Sequence, residues 1–567
     1  MNVRRPFLAL LCSSALCLAG CNSLPGNSEP QVLRKFESSQ EEPSAISPIA
    51  GREPDLLVRD FYAASARPTG DYLSARNFMT AEASQRWNPR ESTLVVNRID
   101  LTTQPGADNS THSYKIRGDV IGRLESDGTY RPENFLYEAD VKLQQVDGEW
   151  RISSLPNGLV LERSELRNQY QPHELYYFDT TGKVLVNDRR WVYSANDSMN
   201  TTLVSLWAQG ASEILKPAVN AHLPKDAEFI GAEDQTYRFS GLAGLDQGER
   251  LKLAAELVWT LSAARIPGPY GIEADGQPLL DSYDKYSTDD FAEYNPAVYA
   301  GSDPALYALT DKNLFQVTNN GLEDKNIAVA HSGDIRSAAI RADHSAAIVR
   351  SDGDKNRLWV GKIDARLDPS LSASSLTTPT FEYDSSAVWV VAEGRRVTRI
   401  VRSSTTGELA ESVVDTTDLK KLDGDISVLR LSHDGTRAAF VVAGKLYTAI
   451  VQRPAAAERR LTQVIEIAPQ LGDSVLAVDW QYDGSLVVGT STPDNPVWRV
   501  ELDGSAVTSL PSGNLTAPVV AVAASPSMLY VTDSHSTRQL PIGGEGGFFW
   551  REVPGLQGVR SALTVAN

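Results

Sequence analysis

The 567-residue chain has three cysteines, Cys12, Cys17 and Cys21, and none after position 21. From residue 22 onward it can form neither an internal disulfide nor a cysteine-based metal cluster. Long apolar runs are also scarce. The one clear stretch, residues 7–18, falls short of the roughly 20 residues that span a bilayer. Positive charge is in deficit, with 54 Lys and Arg against 72 Asp and Glu and a formal net charge of −18. That excess disfavours nucleic acid and bare anionic lipid as partners.

Several catalytic signatures are missing as well. His112, His173, His222, His331, His344, His433 and His535 include no pair at the spacing of HExxH. There is no GxSxG elbow, since "GDSVL" at 472–476 lacks the second glycine and Ser474 only precedes a strand. There is no GxxxxGK[ST] loop. "DGDKN" at 352–356 alternates oxygen ligands but lacks the rest of a calcium loop, so it reads as a turn between strands. No catalytic residue, metal ligand or cofactor site is assigned.

What is present begins with a leader. Arg4 and Arg5 precede the short apolar core, and Leu18, Ala19 and Gly20 lead into Cys21. This resembles a bacterial lipobox. The resemblance implies a signal peptide over 1–20, cleavage before Cys21, and acylation of that residue. Each buried lipid methylene contributes about 0.8 kcal/mol, so two or more chains anchor a protein firmly. Residues 21–50 then form a flexible tether rich in Ser, Pro, Glu and Gln. A content of 41% hydrophobic and 22% charged residues indicates a globular body beyond it.

Over 51–165 two helical stretches, "DLLVRDFYAA" and "DYLSARNFMTAEASQRW", precede four strand patterns, with Asp147-Gly148 as a hairpin turn. The order predicts an α+β domain similar to the NTF2-like class. Over 171–280, two strands flank Thr181-Gly182, and "TTLVSLWAQG" reads as a helix. "AHLPKDAEF" and "YRFSGL" read as strands, and "GERLKLAAELVWTLSAA" as an amphipathic helix with Leu251, Ala254, Ala255, Val258 and Leu261 inward. Trp191, Trp207 and Trp259 read as core residues. This order is similar to the GerMN module. Residues 281–297 read as an acidic linker.

The last region, 298–567, repeats itself. Segments beginning at Ile335, Leu376, Ile426 and Val475 share an apolar residue five positions on (Ile340, Phe381, Leu431, Trp480) and an aspartate eight positions on (Asp343, Asp384, Asp434, Asp483). A looser copy starts at Val519, with Ser525-Pro526 at its turn. Aspartate suits such a turn because its side chain bonds the backbone two residues on. The starts lie 41, 50, 49 and 44 residues apart, the length of a four-stranded propeller blade. "VRSALTVAN" from Val559 echoes "IRSAAIRAD" from Ile335. The strand over 559–565 is therefore expected to complete the first blade and close a six-bladed ring. A seventh blade would require 404–425 to hide a degenerate copy. The expected fold is thus multidomain: two small α+β domains followed by an all-β propeller.

"LAGCNSLP" with "EPQVLRKF", the "LYYFDTTGKVLV" opening, "LAAELVWTLSAA" and the propeller after an acidic segment resemble the LpqB family of actinobacterial lipoproteins. The resemblance implies a non-enzymatic protein on the extracytoplasmic face of the cell membrane, lipid-anchored at Cys21. It further implies contact with the extracytoplasmic domain of a sensor histidine kinase of the MtrA–MtrB two-component type, affecting envelope homeostasis and division. Two alternatives stay open. One is a ligand-binding envelope sensor using the GerMN-like module. The other is a cell-wall hydrolase with its site at the propeller mouth.

Overall fold

A computed structural model of the chain describes residues 46–567 except 105–109, 197, 221–222, 282–283, 297–303, 319, 324–333, 404, 544–548 and 567. Leu18, Ala19, Gly20 and Cys21, together with His222 and His331, lie outside the described residues. Ser47–Asn567 forms one unit, built of three successive domains.

The first domain opens with a helix over Pro54–Ser65, which buries Leu57, Val58, Phe61 and Ala64 at helical spacing. The second expected helical stretch is two helices, Thr69–Arg76 and Ala81–Arg86. Thr80 caps the start of the second, accepting a hydrogen bond from Ala83 N at 3.2 Å. Behind them lies a six-stranded sheet. Its main path runs Glu149–Ser154, Tyr130–Val146, Thr111–Leu124, Thr93–Val96 and Leu159–Glu162. Asp147 and Gly148 turn the hairpin with φ of 55° and 82°, the left-handed pair that a two-residue hairpin loop requires.

The second domain pairs Tyr170–Phe178 with Leu185–Tyr193 around the expected Thr181-Gly182 turn. Its helices are Met199–Ala208 and Gln247–Ala263. The longer one starts in a capping box between Asp246 and Glu249 and buries Ala254, Ala255, Val258 and Leu261, while Leu251 is only partly buried. They cover a four-stranded sheet that includes Glu228–Glu233, Thr236–Ser240 and Gly271–Ala274. In "AHLPKDAEF" the strand begins only at Glu228.

The 281–297 segment differs from its reading as a linker. Tyr286 and Phe291 are each 1% exposed and belong to the second domain's core. A short 3-10 helix over Thr288–Tyr294 carries Phe291 inward. Burial of each ring stabilises this attachment by about 2 kcal/mol. Acidic composition describes the segment's outer face and conceals these two aromatic anchors.

The propeller has six four-stranded sheets among the described residues. The first blade is assembled from both ends of the region: Ala562–Val565 pairs antiparallel with Leu306–Thr310, placing Val565 opposite Leu306. The remaining blades start with inner strands at Ile335, Thr380, Ile426, Val475 and Ala521. Within 404–425, Leu409–Val413 is the outer strand of the third blade and Thr417–Lys421 a 3-10 turn, so the segment belongs to that blade.

The repeated aspartates act as their position predicts. Asp343, Asp384, Asp434 and Asp483 accept backbone N–H bonds from Ser345, Ser386, Thr436 and Ser485 at 2.9, 3.1, 2.8 and 3.0 Å. Ser525 Oγ does the equivalent in the fifth copy, accepting from Met528 N at 3.0 Å.

Candidate functional site at the domain junction

One strand, Leu185–Tyr193, ties the three domains together. Side chains alternate across a strand, and here Asn187, Arg189 and Trp191 reach the propeller. Arg189 bonds Glu174 of its own hairpin and Glu501 of the fifth blade, both at 2.7 Å. Trp191 Nε1 donates to Asp503 at 2.9 Å, and Arg437 Nη2 donates to the Asn187 carbonyl at 2.5 Å. The alternate residues Asp188 and Arg190 are buried. They form a 2.7 Å ion pair, and Arg190 also pairs with Asp127 of the first domain at 3.1 Å.

Trp191 is therefore half-buried and acts as a cross-domain donor, unlike Trp207, which sits in the core. Trp259 is partly buried against that core and donates to the Phe291 carbonyl at 3.1 Å. The first domain meets the strand through a backbone bond from Trp191 N to Gly128 O of 2.7 Å. Gly128 has φ of 80°, and a Cβ there would lie 2.7 Å from Trp191 O, so glycine permits the contact. Val186, Leu215 and Ala218 complete the junction by packing on Ile450 of the propeller.

The junction's electrostatics follow from this geometry. Burial pushes the Glu174 carboxyl up, opposed by Arg189. Burial also acts upward on Glu501, but its bonds with Arg189 and Arg499 outweigh burial and hold it below the usual carboxylate range. The positions "DRRW" at 188–191 carry most of the interdomain polar contacts, yet sequence reasoning assigned only Trp191 a place.

The propeller channel is the second place where side chains converge. Ala339, Thr380, Arg430 and Asp479 hold the same place in their repeats, one residue before the shared apolar position, and all line the channel. Arg430 Nε lies 3.9 Å from Asp479 Oδ1. Asp479 Oδ2 accepts from Ala524 N at 3.2 Å, and Arg430 Nη1 donates to the Pro379 carbonyl at 3.3 Å. Burial raises the Asp479 carboxyl and lowers the Arg430 guanidinium, each opposed by the other's charge. Asp479 is the one carboxylate among the described channel-lining residues.

Between the second domain and the propeller face lies a cleft of about 400 Å³. Tyr176 and Tyr294 line one wall, and Tyr383, His433, Trp480 and Tyr482 the other. The His433 ring stacks on Tyr482 with centroids 4.2 Å apart and planes 21° apart. His433 Nε2 donates to the Trp480 carbonyl at 3.2 Å. Burial brings the His433 imidazole down to about 4, so it is neutral near pH 7.

The remaining sequence-selected groups are dispersed. His344 is exposed and contacts Asp364 at 2.6 Å, and Ser474 Oγ donates to the Leu471 carbonyl at 2.7 Å. "DGDKN" is the turn between Ser345–Asp352 and Lys355–Lys362. Among the described residues, no three His, Cys, Asp or Glu side chains gather in a metal-binding group. No described helix is long and apolar enough to cross a membrane.

Comparison with known proteins divides the chain in the same way. Residues 47–167 match the family described as "Lipoprotein LpqB, N-terminal domain", 174–280 "Sporulation and spore germination", and 312–562 "Lipoprotein LpqB beta-propeller domain". "Lipoprotein LpqB" of Corynebacterium diphtheriae is 40% identical over 586 aligned residues, covering 100% of this chain and 99% of that one. Its counterpart in Corynebacterium jeikeium is 36% identical over 561 residues, covering 97% and 96%. Among solved structures, TolB from Acinetobacter baumannii overlaps 47% of this chain and 67% of its own at 14% identity. The TM-score of that overlap is 0.34.

Proposed function

Because this chain belongs to the LpqB lipoprotein family, we propose that it is a membrane-anchored extracytoplasmic docking protein, lipidated at Cys21. Its partner is the extracytoplasmic domain of a sensor histidine kinase of the MtrA–MtrB type, and its signalling output is envelope homeostasis and division. The observation that carries this reading is the junction: one strand locks both small domains to the propeller through Asp127, Glu501 and Asp503. A rigid body of this kind presents a fixed surface, which suits selection of one kinase conformation over another. Anchoring in the kinase's own membrane raises the effective concentration, so modest affinity suffices.

Photocrosslinking in intact cells tests the reading. Capture of a sensor kinase through residues 51–285, lost in a Cys21→Ser variant that leaves the membrane fraction, is the expected result. Capture of wall polymer alone overturns it.

A second reading is favoured by the aromatic cleft, which has the concavity and ring content of a ligand site. In that reading the body senses a small envelope ligand and the docking surface reports it.

A further inference from the structure

The cleft between the second domain and the propeller is lined by six charged residues, four of them already paired. Glu174 is paired with Arg189 at 2.7 Å, Asp434 with Arg437 at 3.2 Å, and Asp483 with Arg499 at 2.6 Å. Lys183 and Glu293, one of each sign, sit exposed. A charged ligand entering here would lose hydration and find its counter-ions occupied. What the walls offer is ring faces and neutral polar groups. Tyr176, Tyr383 and Tyr482 combine flat apolar faces with hydroxyls, and neutral His433 lies against Tyr482. Gln481 also lines the cleft. Its buried Nε2 has no hydrogen-bond partner, so turning it to a ligand breaks no bond it now makes.

From these features we infer that the cleft binds a neutral oligosaccharide. The C–H faces of its sugar rings stack on the tyrosines, and its hydroxyls, both donors and acceptors, meet Gln481 and the phenol groups. The volume of about 400 Å³ lies within the range of small-molecule sites. Two of the cleft's walls, Glu174 and Arg189, belong to the clamp that holds the second domain to Glu501. Occupancy is therefore coupled to the domain junction and raises the melting temperature. This inference rests on the second reading above, in which the body senses a ligand.

Titration calorimetry on the full mature chain tests it with four probes: N-acetylated chitotriose, maltotriose, the anionic trimer of galacturonate, and trilysine. At least one neutral trisaccharide is expected to bind, with the anionic trimer and trilysine at least tenfold weaker. Tyr383→Ala and Tyr482→Ala should each weaken binding about tenfold, and Gln481→Met about fivefold. Tyr482→Phe, which keeps the ring and removes only its hydroxyl, should weaken binding about threefold, less than Tyr482→Ala, and melting curves verify that each variant is folded. Equal binding of charged and neutral trimers, or binding indifferent to the tyrosine variants, overturns the inference. Binding of trilysine alone overturns the saccharide assignment but leaves a ligand-sensing role standing. Silence from all four probes removes both.

Discussion

Replacement of Glu382 by Gln tests the electrostatic account of the ring most directly. Glu382 is 3% exposed at the inner end of the third blade. It accepts hydrogen bonds from Arg399 Nε at 2.7 Å, Trp389 Nε1 at 2.9 Å and Arg459 Nε at 3.1 Å. Arg459 immediately precedes the fourth blade's outer strand, Arg460–Glu466, so this carboxylate bridges two blades. Burial pushes the carboxyl up, but the Arg399 bond and the charges of Arg399 and Arg459 outweigh it. The group falls from an ordinary 4.5 to about 2.

At about 1.4 kcal/mol per pH decade, that gap contributes about 3 kcal/mol of stability. The folded value lies below the unfolded one. The contribution is therefore complete above pH 4.5 and disappears as pH falls toward 2. The Glu382→Gln variant leaves two buried guanidiniums facing each other without their counter-charge, a loss on the order of 3–5 kcal/mol. By scanning calorimetry of the full chain, the propeller transition should fall roughly 5–10 °C at pH 7. The gap between parent and variant should narrow steadily from pH 4.5 to pH 3. Equal transitions at pH 7, or parallel curves on acidification, would refute the reasoning.

Three further outcomes are expected. Gly128→Ala brings a Cβ within 2.7 Å of Trp191 O at positive φ; it should cost about 2 kcal/mol and speed hydrogen exchange at 125–131 and 187–193. His433 has a folded value of about 4 against an ordinary 6.5. The unfolded chain therefore binds a proton that the folded chain refuses between those values, and stability falls as pH drops from 6.5 to 4. His433→Gln should flatten that part of the melting-temperature profile and leave the window below 4.5, governed by Glu382, unchanged. Deleting 559–567 exposes the inner edge of Leu306–Thr310; light scattering should show aggregation and proteolysis should begin in the first blade.

The propeller was legible because its information is local and repeated. Each blade restates an apolar strand, an aspartate turn and a second strand, so register could be read by comparing copies, and the echo at Val559 located the closing strand. The junction was not legible. Arg189 looks like a surface residue of a hairpin, and Trp191 like a core residue of its own domain, until the fifth blade brings Glu501 and Asp503 to them. Glu382 was hidden for the same reason, since Arg459 comes from the neighbouring blade. The acidic segment misled through averaging: Tyr286 and Phe291 enter the core, and Asp290 caps the short helix that carries Phe291. The cleft draws its rings from two domains, and sequence alone does not say which rings meet.

The pairing of Ala562–Val565 with Leu306–Thr310 also has a consequence in time. A chain made from its N-terminus would offer five finished blades and one open seam until residues 562–565 arrive. The ring therefore fastens only after its last strand is made, and a product ending before Ala562 keeps the Leu306–Thr310 edge bare.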